Sequence, residues 1–308
     1  MTTSPTILIT GATNGPGRAL AHHYAAAAAL ILHGRDPGKL KRTADDIRDA
    51  QRVARPRTVL ADLADLSQVR QMAADVQQHT DRLDALVSNA GIGSGEPDGR
   101  TRRTSADGYE LRFAVNCLAG FLLTLDLLPL LRRSAPARIV NVASIGQHPL
   151  DFADLILEHR YNGTRAFGQS KLAQIMSGFE LASRVPAAEV TINSLHPATF
   201  MPTKIVLSEI GHHIDSLEEG VAATARLTSG PALTGVLRPD PPRHRSPSGL
   251  RPPRTNRTLE PQPATHPPRM KATLPRQASR PPAHAEMVDL DAARDLGTPV
   301  TRPRRVAR

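Results

Sequence analysis

Between residues 6 and 236 short β-branched runs alternate with longer stretches of helical periodicity, and that alternation leaves few ways to fold. Strands apolar on both faces need helices over both, so the pattern predicts a doubly wound α/β architecture around a parallel sheet. Thr6–Thr10 reads as a fully buried first strand, followed by a helix over Ala19–Ala28 and a second strand over Ala29–His33. Lys39–Gln51 reads as a charged helix, Thr58–Asp62 as the third strand and Ser67–Thr80 as a helix opened by a serine cap. The fourth strand falls at Leu83–Asn89, a long apolar helix at Asp107–Arg133 and the fifth strand at Arg138–Ser144. A helix over Thr164–Arg184, a sixth strand over Val190–His196 and a helix over Leu217–Ser229 complete the series. Three strands on each side of a crossover make two halves, and ligands of such sheets sit at the carboxyl ends of the strands.

The stretch Thr10-Gly11-Ala12-Thr13-Asn14-Gly15-Pro16-Gly17 lies at such an end, between the first strand and the first helix. Glycines there permit a tight turn and let the backbone approach a diphosphate resting on the positive end of the helix. Pro16 is compatible, because its missing N–H falls in the first helical turn, where that donor is free anyway.

With this motif the chain resembles the short-chain dehydrogenase/reductase family, in its retinol-dehydrogenase-like, bacterial form. The family's glycine pattern is T-G-x-x-x-G-x-G, and further matches follow in the family's order. Asn89-Ala90-Gly91 ends the fourth strand, where the family has its N-A-G sequence lining the cofactor, and Asp62-Leu63 ends the third, where its aspartate contacts adenine. Asn116 looks like the helix-borne asparagine of the family and Ser144, in Asn141-Val142-Ala143-Ser144, like its catalytic serine. Ser170-Lys171 with Ala173 resembles the S-K-x-A that holds the catalytic lysine, which also binds the nicotinamide ribose. His196-Pro197 and Thr203 resemble the P-G segment and the threonine after the sixth strand, although Ala198 replaces the glycine. The resemblance covers roughly residues 6–230 and implies a Rossmann-type sheet that binds a nicotinamide dinucleotide and a small carbonyl or alcohol substrate.

The second strand ends His33-Gly34-Arg35. An acidic residue there would bond a ribose 2′-hydroxyl and repel a 2′-phosphate, whereas an arginine attracts the phosphate, so Arg35 favours NADP(H) over NAD(H). The plainer reading is that Arg35 and Asp36 are a charged pair leading into a helix. The family transfers hydride between nicotinamide C4 and a carbonyl or alcohol carbon while a tyrosine moves the proton. Its phenol, of ordinary pKa about 10, needs a nearby ammonium to work near neutrality. In this chain the tyrosine position of Y-x-x-S-K is Phe167. Phe167 and Lys171 share a helix face, but a phenyl ring has no proton to exchange, so activity is expected to be impaired. The alternative is an NADP(H)-binding pseudoenzyme that acts as sensor or scaffold. Tyr161 is a weak replacement, since Asn162-Gly163-Thr164 reads as a turn and cap that leaves it outside the helix, lining the substrate entrance.

Other groups carry less. His22-His23 and His212-His213 are adjacent pairs that do not face one ligand together, so no metal is expected. His148 follows the fifth strand near Ser144 and could touch substrate or simply be solvated. Leu118, Leu122, Leu125 and Leu128 are either core or, as the resemblance implies, part of a four-helix interface in a homodimer or homotetramer.

A single cysteine, Cys117, and an N-terminus without a signal pattern suggest the cytoplasm. The apolar run Cys117–Leu131 contains Asp126 and Pro129 and is short for a span, so no membrane association is expected. Residues 237–308 hold fifteen Lys and Arg against six Asp and Glu, and fifteen of the 27 prolines, with no Phe, Tyr, Trp or Ile. Such a segment cannot bury enough apolar surface to offset its ordering entropy, so it reads as a disordered tail after a 1–236 domain. Nucleic-acid binding through that tail is disfavoured, because no aromatic is there to stack on bases. Gly235-Val236 looks like the approach to a final strand, but Leu237-Arg238-Pro239-Asp240-Pro241-Pro242 follows, so the last strand is expected to be missing. A frameshift in a GC-rich gene would give such a continuation, with a genuine extension as the alternative.

Overall fold

The computed structural model describes residues 4–95, 99–230 and 235–237. The first half runs β1 (Thr6–Ile9), α1 (Gly15–Tyr24), β2 (Ala29–Gly34), α2 (Pro37–Gln51), β3 (Arg57–Leu60) and α3 (Leu66–His79). β4 (Ala85–Ser88) opens the second half and leads to α4 (Leu111–Phe113), a π-helical turn over Ala114–Leu118 and α5 (Ala119–Arg133), which together form one rod. β5 (Ala137–Val142), α6 (Gly163–Arg184), β6 (Val190–Leu195), α7 (Lys204–Glu209), α8 (Leu217–Ser229) and β7 (Gly235–Leu237) follow.

The strands lie in the order β3-β2-β1-β4-β5-β6-β7 and every neighbouring pair is parallel. The order reverses between β1 and β4, so their carboxyl ends border the crevice where such sheets take ligands. Side chains alternate between two cores, as a period of two requires. Leu8, Ile31, Leu86 and Ile139 point to the face covered by α3, α5 and α6. Ile7, Ile9, Leu32, Val87 and Val140 point to the face covered by α1, α2 and α8. Leu8 and Ile9 are fully buried, and each such side chain contributes about 1.5–3 kcal/mol.

Several boundaries differ from the sequence reading for local reasons. α1 begins at Gly15 rather than Ala19, because Asn14 accepts from the Gly15 N–H at 2.9 Å and Pro16 starts the first turn. Asp65, not Ser67, caps α3, accepting from the Ser67 N–H at 3.0 Å. The rod starts at Leu111, since Thr104 and Glu110 form an antiparallel bridge and Gly108 adopts φ +87°. From Leu111 to Arg133 it is the one helix among the described residues long and apolar enough to cross a membrane. Leu122, Leu123, Leu127, Leu130 and Leu131 are nevertheless buried in the core, as a central helix requires. The sheet also corrects the expectation of a missing last strand. Gly235–Leu237 pairs in parallel with Asn193–Leu195, so the sheet has a seventh strand despite the prolines that follow in the sequence. The tail after Leu237, with its expected disorder and frameshift origin, lies outside the described residues.

Candidate active site

The crevice is built where β1 and β4 end. Gly11 turns the chain at φ +65°, a left-handed conformation open to glycine, and a Cβ there would stand 2.9 Å from Ala90 Cα. Thr10 Oγ1 accepts from the Asn89 and Ala90 N–H groups at 2.9 and 3.0 Å, and Asn89 Nδ2 donates to the Thr10 carbonyl at 2.9 Å. The glycine loop and Asn89-Ala90-Gly91 are therefore one hydrogen-bonded unit. A Cβ on Gly17 would stand 2.4 Å from both Asn89 Nδ2 and the Gly11 carbonyl, so only glycine lets α1 seat its first turn on that unit. Beside it, Thr13 packs against Gly34 at the end of β2, and Gly15 faces the Thr203 methyl. Thr203 caps α7 by accepting from the Val206 N–H at 3.2 Å, and Pro197 is buried.

His33 ties this loop to the next two strands. The Gly11 N–H donates to His33 Nδ1 at 3.2 Å, so Nε2 carries the proton and donates to the Ala61 carbonyl at 3.1 Å. Burial holds its pKa below the ordinary 6.5. Protonation would set an N–H against the Gly11 N–H, so His33 stabilises the fold above pH 6.5 and this contribution is lost as pH falls below it. The expected outcome is a melting temperature that falls between pH 7 and 5 more steeply than in His33→Gln. Parallel profiles of the two proteins would contradict it.

Around the cradle, Asp36 is committed as the cap of α2, accepting from the Lys39 N–H at 2.9 Å, and leaves Arg35 exposed at the end of β2. Asp62 ends β3 in a turn, its Oδ1 accepting from the Ala64 N–H at 3.0 Å, while the Leu63 side chain is buried in the core.

The catalytic candidates converge from three elements. Asn116 lies in the π-helical turn, a distortion that recurs at functional sites. Its Oδ1 accepts from the Ile92 N–H at 2.8 Å, and its Nδ2 donates to the Ile92 carbonyl at 3.1 Å and to Ser170 Oγ at 3.0 Å. Lys171, buried on α6, donates to the Val142 carbonyl at 2.9 Å and to Gln174 Oε1 at 3.2 Å. Desolvation lowers its pKa to about 8 and pushes the neighbouring Cys117 thiol up to about 12. A Cβ on Gly91 would stand 3.1 Å from Asn116 Oδ1 and 3.6 Å from Lys171 Nζ, so glycine lets the backbone after β4 approach both side chains closely. Ser144 Oγ accepts from the Gly146 N–H at 3.0 Å. A Cβ on Gly146 would lie 3.5 Å from Ser144 Oγ and 3.6 Å from Phe167 Cε1, which puts serine and phenyl ring on one wall. The Ile145 N–H donates to His196 Nδ1 at 3.3 Å and so fastens that wall to β6, while the His148 backbone packs on Gly168.

Tyr161 lies outside α6, just before its Asn162 cap, and its hydroxyl joins a buried charged pair. Its hydroxyl donates to Glu110 Oε1 at 3.3 Å and accepts from Arg112, and both partners are almost fully buried. Arg112 also donates to the Gly93 and Ser94 carbonyls at 2.7 and 2.8 Å, holding the loop after β4 from below. From the other side Glu209 of α7 accepts from the Gly95 N–H at 2.7 Å and from the Ser94 N–H and hydroxyl. Glu110, Arg112, Gln174 and Glu209 all escape a sequence reading. Gln174 alone leaves a local signal, by standing one turn after Lys171. Among the described residues no group of three or more His, Cys, Asp or Glu is placed to hold a metal ion.

The family model for short chain dehydrogenases matches residues 5–209. Human retinol dehydrogenase 13 is 36% identical over 212 residues, which are 68% of this chain and 61% of that protein. Mouse retinol dehydrogenase 14 is 38% identical over 226 residues, 68% of this chain and 63% of that protein, so the chain spans less than two thirds of these relatives. A short chain dehydrogenase from Salmonella enterica serovar Typhi superposes with TM-score 0.62 at 26% identity, over 77% of this chain and 96% of the other. The Pseudomonas aeruginosa RhlG/NADP active-site complex gives TM-score 0.61 at 25% identity, over 77% and 95%. The family match over residues 5–209 and these relatives show that the chain belongs to the short-chain dehydrogenase family.

Proposed function

We propose that this chain binds NADP(H) in the crevice and interconverts a carbonyl and an alcohol by hydride transfer, at a rate held down by Phe167. The carrying observation is that Gly91, whose Cβ would stand 3.1 Å from Asn116 Oδ1 and 3.6 Å from Lys171 Nζ, brings the backbone after β4 against the asparagine and the ammonium. A cradle with bare backbone at the start of α1 and a buried ammonium at its far side fits a nicotinamide dinucleotide. When bound, that group supplies or accepts the hydride. The chain's own residues would do the rest: the Ser144 hydroxyl would orient the substrate oxygen, Lys171 would hydrogen-bond the ribose, and Asn116 fixes the Ile92 backbone. The phenyl ring of Phe167 leaves the proton to water. Arg35, exposed just after β2, supports the choice of NADP(H), because a guanidinium attracts a 2′-phosphate, and the P. aeruginosa neighbour is a complex with NADP.

The test is fluorescence titration with NADPH and NADH, then turnover on a panel of carbonyls and alcohols that includes retinol, named in the relatives. NADPH is expected to bind more tightly, and Arg35→Ala to narrow the gap by about 10- to 100-fold. Equal affinities in the unmutated protein would overturn the preference. A second reading, an NADP(H) sensor or scaffold, draws on the phenylalanine at the tyrosine position. Tight binding with no turnover across the panel selects it. Met176 and Phe179 are exposed on α6, which supports a homodimer or homotetramer through that helix and α5.

A further inference from the structure

We infer that Gln174 is a positioning residue for Lys171, its side-chain carbonyl and the Val142 carbonyl together fixing where the ammonium sits and whether it is charged. This rests on the reading of the crevice as a cofactor site, and it concerns how that site is tuned.

Gln174 stands three residues after Lys171 on α6 and is only 5% exposed. A primary amide in such a place costs free energy unless it is hydrogen-bonded, and its Oε1 finds the Lys171 ammonium at 3.2 Å. The second acceptor, the Val142 carbonyl at 2.9 Å, comes from the end of β5. An ammonium has three N–H donors. Two are satisfied within the protein, and Nζ lies 3.6 Å from the place that a Gly91 side chain would fill, so the ammonium stands against the backbone of the Asn89-Ala90-Gly91 segment.

The groups around the ammonium decide its charge. From the π-helical turn Cys117 faces it, a thiol that burial keeps neutral by pushing it up to about 12. Asn116 and Ser170 are uncharged, and both hydrogen-bond acceptors are neutral carbonyls. The Cys117 sulfur and hydrogen bonding to the charged form are what offset the desolvation that brings Lys171 down to about 8. Removing one of two acceptors shifts the balance one way. Placing a carboxylate at the same atom shifts it the other way. A residue that merely fills space would do neither.

The experiment uses the full chain with isotope-labelled lysine, whose side-chain resonances are followed against pH by NMR. Only five lysines are present, Lys39, Lys41, Lys171, Lys204 and Lys271, so loss of one signal in Lys171→Met assigns the resonance. In Gln174→Leu the Lys171 midpoint is expected to fall by about one pH unit, and in Gln174→Glu to rise by about as much. Gln174→Met, closer in shape, replaces the leucine variant if that one does not fold. NADPH affinity, titrated across the same pH range, should weaken as each protein passes its own midpoint. Unshifted lysine midpoints overturn the assignment whatever NADPH does. Shifted midpoints in a protein that does not bind NADPH uphold the role of Gln174 and overturn the cofactor reading.

Discussion

Phe167→Tyr is expected to raise carbonyl reduction by about 10²–10⁴-fold, the usual worth of a positioned acid or base. The new hydroxyl would enter a site otherwise assembled. Phe167 and Ser144 border Gly146 on one wall, and Lys171 follows one helical turn later on the same face. The ring is only partly buried, so a hydroxyl at its tip meets no sealed apolar pocket and leaves no buried donor unpaired. The Lys171 ammonium, held at Val142 and Gln174, is the nearby cation that a phenol needs to lose its proton closer to neutrality. The measurement is NADPH consumption against the carbonyl panel for both proteins, after each is shown to be folded. A variant that binds NADPH and substrate yet gains nothing would show that the missing hydroxyl does not limit the rate.

The second large effect is on stability. Arg112→Met is expected to cost about 3–5 kcal/mol, because it removes one partner of a buried ion pair and leaves the other uncompensated. Arg112 and Glu110 are 0% and 1% exposed and stand 3.5 Å apart. The guanidinium also holds the Gly93 and Ser94 carbonyls, so its loss unpins the loop after β4 along with orphaning Glu110. In a domain of this size the melting temperature should drop by about 6–20 °C. The double change Glu110→Gln with Arg112→Met should recover part of that loss, since no isolated charge is then buried. A single substitution that melts within a degree or two of the unmutated chain would mean that the pair contributes little.

What could be read from the sequence was whatever the backbone demands locally. The spacing Gly11, Gly15, Gly17 is visible because left-handed backbone at the first two and a close approach at the third disfavour a Cβ, and Asn89 is visible because it must sit against that loop. The parallel sheet was legible from strands apolar on both faces. Phe167 stood out only because Ser170 and Lys171 follow at the expected interval. Caps were less legible: Asn14, Asp65 and Ser67 are all plausible helix starters, and the choice depends on where the preceding loop lets the chain turn. The prolines after Leu237 masked the three-residue strand, because a composition break marks where a segment stops but not how far the ordered edge reaches. Glu110, Arg112 and Tyr161 were illegible as a group. Tyr161 lies about fifty residues from the other two along the chain, and the burial of a charge is decided by partners that no local pattern names.

The short helix α7 has no buried residue, so almost no apolar area holds it in place. What fastens it is the Glu209 carboxylate, which gathers the Ser94 N–H, the Ser94 hydroxyl and the Gly95 N–H onto two oxygen atoms of one side chain. Bonds that share a single anchor are made and broken together, and a segment without a core of its own has little to slow its departure. The stretch that carries the exposed Phe200, Leu207, Ile210 and Ile214 is thus attached to the loop after β4 as by one rivet. The sheet and both cores keep their contacts whether that rivet is in or out, so the cost of uncovering this side of the crevice is uncoupled from the cost of unfolding the protein.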